Sequence, residues 1–388
     1  EATTMIEQVS INMENKICSS CVMDTTDPEI QFDKSGICNH CNEFTQKRLT
    51  LANSKPDLDG LQKMFKSIKA RNTGKGSKYD AILGISGGSD SSYAIHLAHK
   101  YGLKILAIHV DNGWNSGLAN INIKKILDAT KIDYVCKVLP WKNYVELQTA
   151  YLRASVPEAD APFDIAIYRW QLELAAKHNV KDIIGGGNMS GEGILPASWH
   201  YNDRDLTYAK SILKESNMTL SDYKGVSCGF LRDTYFRMVK KIQFHSPLNL
   251  VGYDKEKAKL ELSELYGWID PPMKHGESRY TKFLQSYYMY VKHGIDYRRT
   301  WLSCNICLGT WSRAEALKEL EKLPYDTIQV EEEIEYIAKK LKIPVIELKE
   351  IICLPPKWFF DYPNQLHMLG LLYNFYRFIY RKEKITNF

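Results

Sequence analysis

Apolar residues follow two patterns along this chain, and from residue 78 onward the two patterns alternate. Short apolar runs bounded by glycine or polar residues predict strands over 79–85, 105–110, 134–139 and 183–184. Apolar residues at helical spacing between these runs predict helices over 117–130, 143–155 and 163–179. Strands that are joined by helices run parallel, so the alternation predicts an α/β fold with a doubly wound parallel sheet.

The pattern is different on both sides of this region. Residues 50–75 are polar but carry apolar residues at helical spacing from Leu58 to Ile68, which predicts a linker with one amphipathic helix. After residue 250 the chain is mostly helical. Ser312 and Glu315 form a predicted capping box that opens a helix over Ala316–Leu323. Further helices are predicted over 331–341 and 366–380, and we expect the aromatic stripe of the last one to pack in the core.

The turn after the first strand is the strongest chemical signal in the chain. Residues 86–92, called here the SGGSDSS loop, lie between that strand and a helix that Gly102 can close. Small residues, hydroxyl groups and free backbone N–H groups at the positive end of a helix form a phosphate cradle. The spacing is not that of a Walker motif, because no Gly-Lys-Ser/Thr follows the first glycine.

Two more polar loops are predicted at the same edge of the sheet, where ligands bind beyond the carboxyl ends of parallel strands. The second strand runs through Val110 into Asp111-Asn112-Gly113, which we expect to take ribose and adenine. The fourth strand is followed by a glycine-rich loop. In that loop Gly187 allows backbone to approach a ligand, Asn188 offers a polar contact, and Glu192 offers a carboxylate for magnesium.

Composition narrows the class of protein. The chain has 388 residues, 44% of them hydrophobic and 25% charged, as in an ordinary globular protein. The net charge of +5 is small, and without a clustered basic face it does not indicate nucleic-acid binding. No apolar run approaches the roughly 20 residues that span a bilayer, and no secretory signal is visible, so we expect a cytoplasmic protein.

Four of the nine cysteines form two CxxC pairs, Cys18 with Cys21 and Cys38 with Cys41. Two such knuckles complete a closed tetrahedral shell of thiolates, which indicates a structural Zn²⁺ site; an iron–sulfur cluster is the alternative. His40 lies inside the second knuckle and is interpreted as a bystander. The predicted organisation is an N-terminal zinc-knuckle module over 1–50, a linker helix over 51–77, a catalytic α/β domain over 78–250, and a helical region over 251–388 for substrate and partner binding.

The SGGSDSS loop resembles the PP-loop of the ATP pyrophosphatase superfamily, whose members cleave ATP between the α and β phosphates and transfer AMP to a substrate oxygen. The resemblance implies that the small residues of the loop hold pyrophosphate and that Asp90 lies close to Mg²⁺. The implied pyrophosphate ligands are Ser86, Gly87, Gly88, Ser89, Ser91 and Ser92.

A second resemblance covers nearly the whole chain. The segment 267–299, which begins Gly-Trp-Ile-Asp-Pro-Pro-Met-Lys-His-Gly-Glu-Ser-Arg-Tyr, is similar to the N-acetyl sugar amidotransferase family of bacterial surface-polysaccharide and nonulosonate pathways. Leu354-Pro355-Pro356-Lys357 and Asp361-Tyr362-Pro363-Asn364 add to the similarity. The family implies conversion of a sugar acetamido group to an acetamidino group, on a free or nucleotide-linked sugar.

In that reaction, adenylation of the amide oxygen makes the oxygen a leaving group and the carbon an electrophile, and ammonia then displaces AMP. Lys274 is the first candidate for a cation that offsets charge on pyrophosphate, with Lys282 and Arg279 next. Glu277 is a candidate to orient ammonia or bind metal. The alternative for the three cations is a surface charge or a salt bridge.

The chain shows no glutaminase signature, neither an N-terminal cysteine nor a nucleophilic cysteine elbow. Members of the resembled family take ammonia from separate glutaminase and channel subunits similar to those of histidine biosynthesis. We therefore expect partner subunits of that kind, with free ammonia as a poor substitute.

The pair Cys304 and Cys307 departs from the family pattern. It is interpreted as a second metal site with Cys228 or Cys353, as a redox pair, or as two buried small apolar residues. The pair also supports a rival function, because PP-loop tRNA thiolases combine zinc knuckles with further cysteines, sometimes around an iron–sulfur cluster. In a thiolase, Cys136 and Cys228 would be catalytic together with Cys304 and Cys307. A non-catalytic zinc-bearing scaffold is a third alternative, which the intact SGGSDSS loop disfavours.

Overall fold

A computed structural model describes residues 15–50, 56–72, 76–270 and 277–380. Its centre is a sheet of five parallel strands in the order β3-β2-β1-β4-β5. The strands are β1 Ala81–Gly84, β2 Ile105–Asp111, β3 Asp133–Val138, β4 Asp182–Ile184 and β5 Gln243–His245. The chain moves outward from β1 to β3 and returns to the other side of β1 for β4. The α/β fold with a doubly wound parallel sheet is therefore confirmed.

The four predicted strands lie within two residues of their observed positions, and β5 was missed. This strand has three residues, all of them half-buried at the edge of the sheet, and two of the three are polar. A strand of this kind carries no apolar run, so periodicity cannot reveal it.

Helices surround the sheet and make up most of the C-terminal half. Their bounds are α1 Asn39–Thr50, α2 Leu58–Asn72, α3 Ser89–Lys100, α4 Gly117–Thr130, α5 Trp141–Arg153, α6 Ala161–Lys177, α7 Met189–Glu192, α8 Leu206–Ile212, α9 Leu220–Val226, α10 Gly229–Thr234, α11 Lys255–Tyr266, α12 Arg279–Phe283, α13 Met289–His293, α14 Arg298–Leu308, α15 Arg313–Leu320, α16 Val330–Leu341, α17 Val345–Cys353 and α18 Leu366–Tyr380. The π-helical residues 284–288 join α12 to α13, so the chain is helical from Arg279 to His293. The capping box of Ser312 and Glu315 is present and opens α15.

The predicted linker helix is α2, and its apolar face is buried through Leu61, Phe65 and Ile68. The cysteine-bearing N-terminal residues pack against the C-terminal helices. Arg313 donates hydrogen bonds to the carbonyls of Cys18 and Cys21, and Arg299 donates one to the carbonyl of Val22.

The expectation that the aromatic stripe of α18 packs in the core is not met by the two of its rings whose burial the structure describes, since Tyr373 is half-buried and Phe375 is exposed. Leu369 is buried, but Met368, Leu371 and Phe375 are largely exposed. The helix lies at the outside of the molecule, where a ring contact between Tyr373 and Phe230 joins it to α10. Apolar periodicity shows that a helix has an apolar face but not whether another element covers it.

Among the described residues, no helix has both the length and the apolar character needed to cross a bilayer.

Candidate active site and metal centre

The SGGSDSS loop lies at the carboxyl end of the central strand β1 and ends as the first turn of α3. Gly87 has a φ of +84°, and Gly88 caps α3 without a side-chain hydrogen bond to the first turn. The hydroxyls of Ser86 and Ser91 are 3.1 Å apart, and each also interacts with loop backbone. The loop therefore presents backbone N–H groups at the positive end of a helix dipole, which is a suitable site for phosphate.

Neighbouring elements leave no room for a side chain at two glycines in or beside this loop. A Cβ atom on Gly87 would lie 2.5 Å from the carbonyl oxygen of Ala119 in α4. A Cβ atom on Gly186, in the loop after β4, would lie 2.8 Å from the backbone of Asp90. Glycine at these positions lets three chain segments meet at the carboxyl ends of β1 and β4.

Asp90 lies in the first turn of α3 and contacts the start of α11. Tyr253 donates a hydrogen bond of 2.5 Å to Asp90 Oδ1, and Lys255 Nζ lies 4.0 Å from the same oxygen. Burial and the Asp90 carboxylate raise the pKa of the Tyr253 hydroxyl, so this group stays a donor. Tyr253 and Lys255 were not predicted, because they lie more than 150 positions from the loop in sequence.

The segment 267–299, on which the family resemblance rests, contacts the SGGSDSS loop at two places. Trp268 Nε1 donates a hydrogen bond to the carbonyl oxygen of Gly87 at 3.1 Å. A Cβ atom on Gly88 would lie 2.9 Å from Glu277 Oε1, so this carboxylate faces the loop. The backbone of Glu277 and Arg279 is bonded to the chain that follows β2. The predicted candidate Lys274 lies outside the described residues.

The two other predicted cations have different surroundings. Arg279 forms an ion pair with Glu333 at 3.0 Å and lies over the ring of Tyr336 at 3.5 Å, so its guanidinium joins α12 to α16. Lys282 lies on the next turn of α12 and lines neither of the two cavities described below.

The polar side chains of the loop after β2 mostly form hydrogen bonds with nearby groups of the protein. Asn112 is 1% exposed, accepts a bond from the backbone of Trp114, and donates to Tyr144. The carboxylate of Asp111 accepts a bond from the backbone of Gly113. Of the four predicted residues in this region, only Val110 lines a cavity.

In the glycine-rich loop after β4, side chains stabilise the loop itself and also line a cavity. Asn188 caps the short helix α7: its side chain accepts from the backbone of Gly191 and donates to the carbonyl of Gly186. Gly187, Asn188 and Glu192 all line a large cavity next to the sheet. A Cβ atom on Gly187 would lie 3.1 Å from Glu192 Oε2, so backbone and carboxylate adjoin there.

Two neighbouring cavities open at this edge of the sheet. The smaller has a volume of about 240 Å³ and is lined at the SGGSDSS loop by Ser86 and Ser91. Its other walls include Val110, Phe163 and Gln171, which combine apolar surface with an amide. Phe163 and Gln171 were missed because they lie inside a helix whose sequence shows only helical periodicity.

The larger cavity has a volume of about 430 Å³ and an acidic wall. Its carboxylates are Glu158, Asp160, Asp164 and Glu192. Burial raises the pKa of Glu158 to about 7, and burial together with the charge of Asp164 raises the pKa of Asp160 to about 8. Asp164 and Thr281 line both cavities, so the two spaces adjoin.

The four predicted metal ligands come together and are buried. The Sγ atoms of Cys18, Cys21, Cys38 and Cys41 lie within 4.8 Å of one another, and the closest pairs are 3.7–3.9 Å apart. Four thiolates at about 2.3 Å from one tetrahedral zinc ion have sulfur atoms about 3.8 Å apart, so the donor set fits such an ion. His40 pairs with Asp27 at 2.6 Å and is a bystander, as predicted.

The other cysteines do not form a second cluster among the described residues. Cys304 is buried, and its sulfur accepts a hydrogen bond from the backbone of Ile194. Cys307 Sγ lies 3.9 Å from Cys41 Sγ, at the edge of the four-cysteine cluster. The hypothesis of a second metal site with Cys228 or Cys353 is therefore wrong for the described part of the chain.

Comparisons with known proteins agree with the sequence-based family assignment. Residues 277–378 match the family model described as the C-terminal domain of WbpG-like LPS biosynthesis proteins. The uncharacterized protein MJ1599 of Methanocaldococcus jannaschii is 30% identical over 308 residues, which cover 79% of this chain and 93% of that protein.

Similar solved structures include NAD+ synthetase from Burkholderia pseudomallei, with 14% identity, coverage of 78% of this chain and 97% of that chain, and a TM-score of 0.34. The U34-tRNA thiolase NcsA from Methanococcus maripaludis, determined with its 4Fe-4S cluster, has 14% identity, coverage of 80% and 89%, and a TM-score of 0.29. The relationships in sequence are the informative ones: this chain belongs to the same family as MJ1599, and its C-terminal region is similar to the C-terminal domain of WbpG-like LPS biosynthesis proteins.

Proposed function

We propose that this protein is an ATP-dependent amidotransferase that converts the acetamido group of a sugar to an acetamidino group. The amide oxygen attacks the α-phosphorus of ATP, and pyrophosphate leaves. Ammonia then adds to the activated carbon, and the C–O bond to AMP breaks. The products are an amidine, AMP and pyrophosphate.

One observation carries this proposal: the SGGSDSS loop and the WbpG-like region meet at a single site. Glu277, the first residue that matches the WbpG-like family, faces Gly88 of the loop. Trp268 holds the carbonyl of Gly87 from the other side. The groups suited to bind phosphate and the region typical of surface-polysaccharide biosynthesis are therefore parts of one site.

Each part of the site suits one step of the reaction. The backbone N–H groups at the start of α3 are suited to hold the departing pyrophosphate, and the smaller cavity is suited to adenine. Asp90 and Glu277 are carboxylates beside the loop that could hold Mg²⁺, which would offset charge on the phosphates. Lys255 joins Lys274 as a candidate cation, since the Nζ atom of Lys255 lies 4.0 Å from Asp90 Oδ1.

Ammonia is proposed to come from separate glutaminase and channel subunits. The four buried cysteines are proposed to hold one structural zinc ion, which the sulfur separations of 3.7–3.9 Å support. A 4Fe-4S cluster places several iron atoms between its cysteine sulfurs and needs a wider arrangement.

A tRNA thiolase is less well supported. A thiolase of this type needs a reactive cysteine beside the activated substrate, and no cysteine is among the described residues that line either cavity. Cys228 and Cys304 are buried, and Cys136 lies on the edge strand β3.

The proposal is tested by measuring pyrophosphate release from ATP with concentrated ammonium and a panel of acetamido sugars, both free and UDP- or CMP-linked. Mass spectrometry of each sugar then detects exchange of the amide oxygen for nitrogen. We expect release to require one of these sugars. Asp90→Asn should lower the rate by about 100-fold or more, the effect of losing one strong electrostatic contact in a transition state.

Asp128→Asn, an exposed position on α4, is the matched control and should leave the rate unchanged. Pyrophosphate release that depends on tRNA, or full activity in Asp90→Asn, would contradict the proposal.

A further inference from the structure

The larger cavity contains polar groups that the ATP chemistry does not use. It lies between the start of α6, the glycine-rich loop after β4 and the helical segment 279–293. Its volume of about 430 Å³ is within the usual range for small-molecule sites. It shares Thr281 and Asp164 with the smaller cavity, so a molecule bound in it adjoins the nucleotide site.

Two buried side chains in this cavity have polar atoms without a hydrogen-bond partner among the described residues. Glu158 is 4% exposed: its Oε1 atom accepts a hydrogen bond from Tyr208, and its Oε2 atom has no partner. Trp199 is 1% exposed, and its Nε1–H group has no partner. Buried polar atoms are nearly always paired, so these two indicate a bound molecule that supplies both a donor and an acceptor.

Hydroxyl and amide groups meet this requirement, whereas a simple cation offers no acceptor to Trp199. The acidic and basic groups of the cavity wall further limit the class of molecule that can bind there. Carboxylates face the cavity from Glu158, Asp160, Asp164 and Glu192, and the basic groups are Lys47 and His200. Burial lowers the pKa of His200, which disfavours its charged form. The acidic wall is not fully ionised near neutral pH, because burial raises the pKa of Glu158 to about 7 and that of Asp160 to about 8. Each acidic group that is ionised repels phosphate oxygens, since like charges are weakly screened in a partly buried site, and each protonated one can donate a hydrogen bond to an uncharged acceptor.

The remaining walls are apolar and aromatic. Ile194, Leu284 and Met289 line the cavity together with the rings of Trp199 and Tyr297. Carboxylates that accept from hydroxyls, next to aromatic rings that pack against C–H groups, suit a carbohydrate ring.

We propose that this cavity binds the uncharged, hydroxyl-bearing ring of an N-acetyl sugar, and that any phosphate carrier of that sugar stays outside its carboxylate wall. This inference rests on the proposed function in one respect: the bound sugar is taken to be the substrate of the amidotransferase reaction. Binding itself does not require ATP, so it can be measured separately from the reaction. Glu158 and Trp199 are assigned as ligands of the ring.

The experiment uses the full chain with zinc bound and free N-acetylglucosamine, N-acetylgalactosamine and N-acetylmannosamine as probes, without ATP. Saturation-transfer NMR and titration measure binding to the wild type and to Glu158→Gln and Trp199→Phe. We expect at least one probe to bind, and each variant to raise its Kd by about 5- to 10-fold, the effect of one lost hydrogen bond. Glu264→Gln and Trp311→Phe are the matched controls, which should leave the Kd unchanged.

UDP should not displace the bound sugar, and Asp90→Asn should still bind it. The proposal is overturned if none of the three probes binds, if both cavity variants bind as tightly as the wild type, or if UDP displaces the sugar. Failure of the proposed function has a different signature, since sugar binding would persist while no sugar supported pyrophosphate release.

Discussion

At the scale of single residues, Asp90 contacts side chains that are distant in sequence. The residues next to Asp90 in the chain give no indication of these contacts. The carboxylate contacts Tyr253 and Lys255, which lie at the start of α11. The local sequence around Asp90 indicates a turn and a helix but not these partners. In the proposed reaction, a lysine at this position is suited to neutralise charge on the departing pyrophosphate.

Replacement of Lys255 by methionine should therefore raise the KM for ATP and lower kcat, since the ammonium group faces the loop. A combined loss in kcat/KM of about 10- to 100-fold is expected from removal of one partly exposed charge. Pyrophosphate release measures it. Lys257→Met, two positions along the same helix and largely exposed, is the control and should behave as the wild type. Equal activity in both variants would exclude Lys255 from the site.

The buried carboxyl group of Glu158 should make the free energy of unfolding depend on pH. Burial raises its pKa from 4.5 to about 7, so the folded protein holds this proton at pH values where the unfolded chain has lost it. The stabilisation of the folded state by this proton is fully present below about pH 4.5 and is lost as the pH rises through about 7. A shift of this size corresponds to about 3 kcal/mol at 1.36 kcal/mol per pKa unit.

Glu158→Gln removes this titration. We expect the variant to match the wild type near pH 5 and to be more stable than the wild type near pH 8. Urea unfolding at the two pH values measures the difference. A constant difference between the two proteins across this range would show that Glu158 titrates normally.

At the scale of elements, the SGGSDSS loop is held in place by segments from both halves of the chain. Trp268 and Asn122 donate hydrogen bonds to the carbonyl of Gly87, and α4 packs against its Cα atom. The positive φ of Gly87 is a conformation that glycine adopts readily and that other residues rarely do. The conformation of the loop therefore depends on elements that lie outside the motif.

Gly87→Ala is expected to disrupt this arrangement. The left-handed conformation costs about 1–2 kcal/mol for alanine, and the added methyl group would lie 2.5 Å from the carbonyl of Ala119. We expect a fall in the free energy of unfolding of more than 2 kcal/mol and loss of pyrophosphate release. Gly117→Ala is a control on the adjoining helix, because a Cβ atom there would meet nothing within 4 Å. Wild-type stability in Gly87→Ala would show that the loop can change conformation at little cost.

At the scale of the whole molecule, the four-cysteine cluster connects the two ends of the described chain. The carbonyls of Cys18 and Cys21 accept from Arg313, and Cys307 in α14 touches the cluster through Cys41. A metal ion bound there would stabilise the contact between the N-terminal residues and the C-terminal helices as well as the knuckles themselves.

Cys41→Ser should therefore lower both the zinc content and the Tm, whereas Cys307→Ser should retain one zinc ion per chain. A loss of about 2 kcal/mol or more corresponds to a fall in Tm of about 2 to 3 °C or more for a chain of 388 residues. Elemental analysis and thermal unfolding, with and without a chelator, measure the two effects. Loss of zinc in Cys307→Ser would assign this cysteine to the metal shell, and retention of zinc in Cys41→Ser would remove Cys41 from it.

The sequence alone determined the features that depend on neighbouring residues. The spacing of apolar side chains in a strand or helix depends on residues close together in the chain. The strands β1 to β4 and the helices between them were therefore predictable, as were the turn at Ser86–Ser92 and the two CxxC knuckles. The short, polar edge strand β5 lacked such a pattern and was missed. The aromatic stripe of α18 was visible in the sequence, but whether another element covers such a stripe depends on tertiary packing.

Only the tertiary structure decided which of these features face one another. Glu158 and Trp199 lie 41 positions apart and line one cavity, while Tyr253 contacts Asp90 across 163 positions. Burial and hydrogen bonding depend on the packing of distant elements, and the composition of a short segment carries no record of that packing. The SGGSDSS loop could therefore be recognised from its residues, whereas of the carboxylates in the adjoining wall only Glu192 was a candidate from sequence, and its grouping with Glu158, Asp160 and Asp164 was not.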